Sequence, residues 1–236
     1  MKFYDREEQL AMLREMRELS YNGYSRLTVV TGQRRIGKTT LIKEAYKDEP
    51  YVYLFVSRKS EAVLCGEFCE EYQEKTGAFV PPMNAFRDVF RFLMEEGKRR
   101  KYTLIFDEFQ NFLEVNPSIY GDIQNWWDKY QKESYVNMVV SGSVYSLMEK
   151  LFKDRKEPLY GRQDSTIKLQ AFPTSILKQI MEDNAPGYSN DDLLALYTFT
   201  GGIPKYVELF MDVKATTGKK MISKICKEDS PLIEEG

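Results

Sequence analysis

The sequence predicts an α/β fold: a five-stranded parallel β-sheet flanked by helices on both faces, followed by a small helical region. Three observations carry this prediction. Short apolar runs alternate with helix-forming segments between Leu27 and Leu169. Strands separated in this way by helices run parallel and connect by right-handed crossovers. From Pro173 onward the pattern is wholly helical, and the stretch Leu27 to Ala45 (LTVVTGQRRIGKTTLIKEA) sets a glycine-bounded loop between the first strand and its helix.

Taken in order, Asp5 to Leu19 spaces Leu10, Leu13, Met16 or Arg17, and Leu19 among charges at a helical period, with Asp5 a candidate cap. The turn Tyr21-Asn22-Gly23 leads into a strand at Leu27–Thr31, and a helix begins near Lys38. Pro50 punctuates the chain before Tyr51–Val56 (YVYLFV), which reads as a buried strand. Helices are expected at Ser60–Lys75 and Asn84–Glu96, then a third strand at Lys101–Asp107 (KYTLIFD). Gly121–Lys132 reads as a helix and Tyr135–Ser141 (YVNMVVS) as the fourth strand, with another helix after Gly142-Ser143. Lys153 to Arg162 reads as a charged, mobile segment before a short fifth strand at Ser165–Leu169. The expected organisation is a core over residues 1–172 and a helical lid over 173–236.

Composition narrows the chemistry. With 236 residues, 42% of them hydrophobic and 30% charged, the chain can bury a core without covalent staples. A net charge of −2 gives no general attraction to nucleic acid or anionic lipid. There is no histidine and there are only Cys65, Cys69 and Cys226, which excludes histidine triads and ordinary zinc sites and leaves base chemistry to carboxylates. The opening MKFYDREEQL carries no apolar signal, and no run is long enough to span a bilayer, so a reducing, cytoplasmic setting is expected. The basic run Gly97 to Lys101 follows Glu95 and Glu96 and reads as a solvated turn rather than a nucleic-acid contact.

Gly32, Gly37, Lys38 and Thr39 satisfy the GxxxxGK[ST] phosphate-loop pattern. A triphosphate concentrates negative charge, so backbone N–H groups must wrap it closely, and glycines permit that approach. Lys38 can set its ammonium between the β- and γ-phosphates, and the Thr39 hydroxyl can become a ligand of the Mg²⁺ that bridges them. The N-terminus of the following helix points further N–H groups at the anion. Gly32, Gln33, Arg34, Arg35, Ile36, Gly37, Lys38, Thr39 and Thr40 are therefore the candidate ATP contacts, an ordinary glycine turn being the bland alternative.

A phosphate loop binds nucleotide; turnover needs a second set of groups. Asp107 and Glu108 end the third strand, where Asp107 can hold Mg²⁺ directly or through water and Glu108 can take a proton from attacking water. The alternative is a solvated strand end. Because Tyr51–Val56 intervenes between the loop strand and the acidic strand, the expected sheet order is 5-1-4-3-2, that of P-loop NTPases whose acidic strand is not next to the loop strand. The fourth strand then brings Ser141 and Ser143 close to the γ-phosphate, where a hydroxyl reports its presence; the competing reading of Ser143 is a helix cap.

These residues resemble the archaeal-type P-loop ATPases, a group related to the AAA+ and STAND nucleotide-driven proteins and found also in bacteria. The likeness rests on FYDREEQLAML, GQRRIGKTTL, TLIFDEFQNF, VVSGSVYSLM, PLYGRQDSTIKLQAFP and TGGIPKYVELF, and covers nearly the whole chain. It implies Lys38 and Thr39 at phosphate and Mg²⁺, Asp107 at Mg²⁺ and Glu108 at the water. It further implies that Arg162 occupies an arginine-finger position, with pairing to Asp164 or Glu157 as the bland alternative. Pro204 falls where STAND-type proteins press a GxP segment on the base, or is simply a helix-starting proline. Lys205 stands where AAA+ relatives often carry a sensor arginine, a departure from their pattern. Similar proteins continue into a winged-helix region and effector domains, so the stretch Ser230 to Gly236 is expected to sit inside a longer protein.

The leading expectation is Mg²⁺-dependent ATP hydrolysis coupled to a lid movement, in a homo-oligomer or with an effector domain or protein partner. The first alternative is a STAND-like switch that holds ATP or ADP and turns over slowly or not at all. The second is a nucleotide-controlled DNA-associated module, with nucleic acid reached only through the region beyond this chain. No membrane partner is expected. An NKxD base-reading motif is absent from the sequence, which argues against a GTPase.

Overall fold

A computed structural model describes residues 2–226; the closing stretch Ser230 to Gly236 lies outside the described residues. The chain divides into two compact units. The larger takes Glu7–Gln33 and Lys38–Lys168; the smaller gathers the residues up to Arg6, the loop tip Arg34–Gly37 and the chain from Leu169 onward.

In the larger unit the order is α1 (Glu7–Asn22), β1 (Arg26–Thr31), α2 (Lys38–Tyr46), β2 (Tyr51–Phe55), α3 (Glu61–Thr76) and α4 (Phe86–Glu96). Next come β3 (Tyr102–Asp107), a 3₁₀ turn at Phe109–Asn111, α5 (Phe112–Val115), α6 (Ile119–Tyr130) and a second 3₁₀ turn at Gln131–Glu133. β4 (Val136–Gly142), α7 (Tyr145–Lys153) and β5 (Ser165–Lys168) complete it. The sheet order is β2-β3-β4-β1-β5, all parallel, which is the expected 5-1-4-3-2 read from the other edge. Register matters for the site: Phe55 pairs with Asp107, Val30 with Ser141 and Thr31 with Gly142, so the polar strand ends lie along one edge of the sheet.

The turn after β3 is held by its own sequence. Phe109 and Phe112 sink into an aromatic cluster with Phe86, Phe106 and Tyr120, at ring-centroid distances of 4.6 Å for Phe86–Phe112, 5.6 Å for Phe109–Phe112 and 5.5 Å for Phe109–Tyr120. Aromatic rings bury large apolar areas and favour tilted or edge-to-face contacts, which fixes the turn that carries the acidic pair.

Three details differ from the sequence reading. Helix α1 starts at Glu7, and Asp5 stands two positions earlier in the left-handed region at φ 59°, so it does not cap that helix. The 3₁₀ turn and α5 after Asp107 have no hydrophobic period long enough to announce them. Lys153 to Arg162, expected to be mobile, is a series of turns. Glu157 N–H donates to Asp154 O at 3.0 Å, Tyr160 N–H to Glu157 O at 3.1 Å and Gly161 N–H to Phe152 O at 3.3 Å, and Leu159 among them is buried. One apolar anchor overrides the charged composition.

The smaller unit is helical: α8 (Thr174–Asn184), α9 (Asn190–Thr200), α10 (Pro204–Asp212) and α11 (Gly218–Ile225). Leu177, Ile180, Leu196, Val207, Phe210 and Met221 form its core. Ser189 and Asp192 close a capping box at the start of α9. Gly202 is required where it stands: its φ is 71°, and a Cβ would strike the Phe172 backbone, whose N–H donates to Gly202 O at 2.8 Å. Among the described residues no helix is long and apolar enough to cross a membrane.

Candidate active site

Lys38 opens α2 and is buried, a costly place for an ammonium unless acceptors surround it. Its Nζ donates to Gly32 O at 2.9 Å and to Gln33 O at 3.1 Å, two carbonyls of the loop itself. Gly37 has φ 90°, a conformation open to glycine and strained for other residues, and Arg35 stands at φ 66°.

The acidic pair is treated asymmetrically. Asp107 Oδ2 accepts from Thr39 Oγ1 at 2.6 Å and from Tyr53 Oη at 2.6 Å. Its Oδ1 accepts from the Glu108 N–H at 3.0 Å and from Ser141 Oγ. Four donors therefore converge on one buried carboxylate. Glu108 has φ 55°, a left-handed conformation uncommon outside glycine, and its Oε2 alone accepts two bonds, from Gln110 Nε2 at 2.6 Å and Ser143 Oγ at 2.7 Å.

Chemically, the arrangement sets hard oxygen donors beside a lysine and a glycine loop. Among the described residues there is no group of three or more Asp, Glu, His or Cys able to cage a metal. Mg²⁺ bound with nucleotide takes only one or two protein oxygens, the rest being phosphate and water. The Thr39 hydroxyl, held by Asp107, fits that donor set.

The larger unit thus brings Gly32, Gln33, Lys38, Thr39, Asp107, Glu108, Ser141 and Ser143 to the ends of β1, β3 and β4. Thr40 is exposed on α2. Ser143 does not cap the next helix: α7 has Val144 at its N-cap and no side-chain cap bond. Arg162 is outside these hydrogen bonds. It makes a two-armed pair with Asp128, Nε to Oδ1 at 2.8 Å and Nη2 to Oδ2 at 2.7 Å, while Asp164 pairs with Arg26 and Glu157 with Lys150. The basic run is likewise engaged, Arg99 and Arg100 with Glu96 and Lys98 with Glu133.

Arg34, Arg35, Ile36 and Gly37 group with the smaller unit, as does Pro204, the first residue of α10. There Lys205 N–H approaches Arg35 O at 3.4 Å, and the Arg35 guanidinium lies 5.4 Å from the centroid of the Tyr206 ring.

Two site residues were missed by sequence reasoning, Tyr53 and Gln110. Tyr53 sits in β2, on the far side of β3 from the loop strand, and its hydroxyl reaches the strand end. Burial first, and the bond to Asp107 second, push its phenol well above the usual range, so it remains a neutral donor. The repeated tyrosines of YVYLFV were the available hint, because a buried tyrosine hydroxyl needs a partner. Gln110 gave no sign beyond its place two residues after Glu108.

A sequence-family profile described as an ATPase domain predominantly from Archaea matches residues 3–210. An uncharacterized protein of Methanocaldococcus jannaschii is 27% identical over 210 residues, covering 87% of this chain and 43% of that protein, so the chain spans less than half of that relative's length. Among solved structures, a Walker-type ATPase of Pyrococcus abyssi is similar with a TM-score of 0.69 at 20% identity, over 94% of this chain and 71% of that one. The Aeropyrum pernix ORC2 protein, solved in ADPNP-ADP complexes, is similar with a TM-score of 0.66 at 16% identity, over 91% of this chain and 62% of that one. These structural likenesses establish the fold.

Proposed function

Because the chain belongs to the family of ATPase domains found predominantly in Archaea, we propose that it binds ATP with Mg²⁺ and hydrolyses it. The observation that carries the reading is the convergence of Thr39, Asp107, Ser141 and Glu108 beside Lys38. Lys38 exchanges its loop carbonyls for the β- and γ-phosphate oxygens, and the loop N–H groups from Gly32 to Thr39 wrap the same anion. Thr39 is the residue that would hold Mg²⁺ directly, and Asp107 would hold it through the hydroxyl it orients and through water. When bound, the ion neutralises charge that builds on the phosphates. Asp107 accepts a hydrogen bond from the Thr39 hydroxyl, which leaves the oxygen's lone pairs available to the ion. Glu108, with Oε2 anchored, uses Oε1 to take the proton of the attacking water. Ser141, in β4, and Ser143, just past its end, are in this reading the hydroxyls that sense the γ-phosphate.

Residues 173–236 act in this reading as a lid on a core of residues 1–172. Within the smaller unit, Lys205 N–H approaches Arg35 O, which sets the loop tip beside the first turn of α10, the helix that Pro204 opens. An arginine-finger role for Arg162 in an oligomer requires release of Asp128. The free thiols Cys65, Cys69 and Cys226 fit a reducing, cytoplasmic setting. A slow nucleotide switch is the second reading, supported by the Asp128 pair that holds Arg162, the one arginine assigned a finger role.

The test is steady-state phosphate release with ATP and Mg²⁺, for the unmutated chain, Glu108→Gln and Lys38→Ala, with nucleotide binding followed in parallel. Turnover that Glu108→Gln loses while still binding nucleotide supports hydrolysis. Binding without turnover in the unmutated chain favours the switch, and a folded chain that binds no nucleotide sinks both.

A further inference from the structure

We propose that Gln110 is a positioning residue for Glu108: its side-chain amide, with Ser143, fixes one carboxylate oxygen so that the other is presented to the attacking water. This deepens the hydrolysis reading and rests on it for the role of the water.

Glu108 is the residue at which β3 gives way to the 3₁₀ turn, in a left-handed conformation. A glutamate side chain has three further rotatable bonds, so a backbone setting alone does not aim its carboxylate. Two bonds do. Gln110 Nε2 at 2.6 Å, from the 3₁₀ turn, and Ser143 Oγ at 2.7 Å, from the segment after β4, both meet Oε2 and hold that oxygen. The orientation of the amide is fixed by chemistry, because only its N–H₂ end can donate to a carboxylate.

Gln110 is itself held in place. Its side chain is buried, and its Oε1 faces Gly142. A Cβ added at Gly142 would fall inside contact distance of Gln110 Oε1 and of Met148, so the glycine between Ser141 and Ser143 clears the space that the glutamine fills. That Oε1 has no hydrogen-bond partner. A buried amide oxygen left without a donor is unfavourable, and the arrangement is retained with the N–H₂ end on Glu108. The turn's backbone, by contrast, does not depend on this side chain. Tyr120 Oη donates to Phe109 O and Gln110 O at 3.2 Å each, Asn111 N–H donates to Glu108 O at 2.9 Å, and Asn111 Nδ2 donates to Val56 O at 2.8 Å.

The test uses Gln110→Met, which preserves length and burial and removes the donor, and Gly142→Ala, which crowds the glutamine and leaves Glu108 and both serines in the sequence. For each, kcat, KM, ATP affinity, the thermal midpoint and a crystal structure are determined beside the unmutated chain. The expected result is a kcat at least tenfold lower, with KM and ATP affinity within twofold, and a Glu108 carboxylate that has left its place beside Ser143. A Gln110→Met chain with unchanged kcat, or a carboxylate still seated on Ser143, overturns the proposal. Gly142→Ala serves as the second line if Gln110→Met unfolds, and the same two outcomes decide it. If the unmutated chain binds ATP without turnover, the hydrolysis reading fails separately, and the carboxylate positions in the crystal structures decide whether Gln110 positions Glu108.

Discussion

Asp107 and Glu108 are neighbours in sequence and belong to the same chemical class, yet their surroundings differ. Asp107 is buried and receives four donors, two on each oxygen, from β1's following helix, β2, β4 and its own next residue. Glu108 is partly exposed and receives two, both on Oε2. A carboxylate with every lone pair engaged is a fixed charge that orients other groups. One with a single oxygen engaged is aimed and still has a basic site to offer. The difference comes from placement: β3 ends at Asp107 inside the sheet, whereas Glu108 lies past the last ladder position and turns left-handed toward solvent.

The comparison is broken most severely at Asp107. Replacing it with alanine leaves the hydroxyls of Thr39, Tyr53 and Ser141 facing a void, and donors deprived of a charged acceptor each lose a large part of their bond. Asp107→Ala is expected to abolish turnover and to lower unfolding free energy by about 3 kcal/mol, read as a lower urea midpoint at constant slope. Glu108→Gln tests the other side. The amide retains an oxygen for Gln110 and Ser143, so stability should change by less than about 1 kcal/mol while turnover falls by about 10²- to 10⁴-fold. Equal stability losses at the two positions would erase the distinction drawn between them.

Much of this was legible in the sequence, for a physical reason. The loop, the acidic strand end and the sheet order follow from local spacing and from the connectivity of parallel strands, which depend on few residues. Gly32, Lys38, Thr39, Asp107 and Glu108 stood out as candidates because the expected phosphate and Mg²⁺ chemistry asks for those side chains in that order, and the structure brings them together at the strand ends. Tyr53 and Gln110 were not, since each acts through a partner far away in sequence or through a turn whose geometry no period encodes. The ordered run Lys153 to Arg162 was misread because its charges suggested solvent, while Leu159 and the Arg162–Asp128 pair hold it. Arg34 to Gly37 also carried no hint that the loop tip groups with the helices that follow Leu169.

The finest test of the comparison is Tyr53, one donor of the four on Asp107. Tyr53→Phe removes a hydroxyl and keeps the ring under the Lys43 ammonium, 4.6 Å from its centroid. A loss of about 1 to 1.5 kcal/mol is expected, with a few-fold rise in the Mg²⁺ concentration giving half-maximal ATP turnover, because the Asp107 carboxylate that orients Thr39 then has one anchor fewer. The same hydroxyl has a signature in alkali. Its phenol is raised above its unfolded value of about 10, chiefly by burial and then by Asp107, so the folded state holds its proton longer than the unfolded state does. That stability is fully present below pH about 10 and is lost as pH rises through the folded value. Tyr46, Tyr72, Tyr102 and Tyr120 are raised as well, chiefly by burial, so unfolding free energy should fall above pH about 10 in the unmutated chain and less steeply in Tyr53→Phe. Urea titrations between neutral and alkaline pH measure both slopes. Identical slopes would mean that Tyr53 ionises alike in both states, and the four-donor shell around Asp107 would lose the member that closes it from β2.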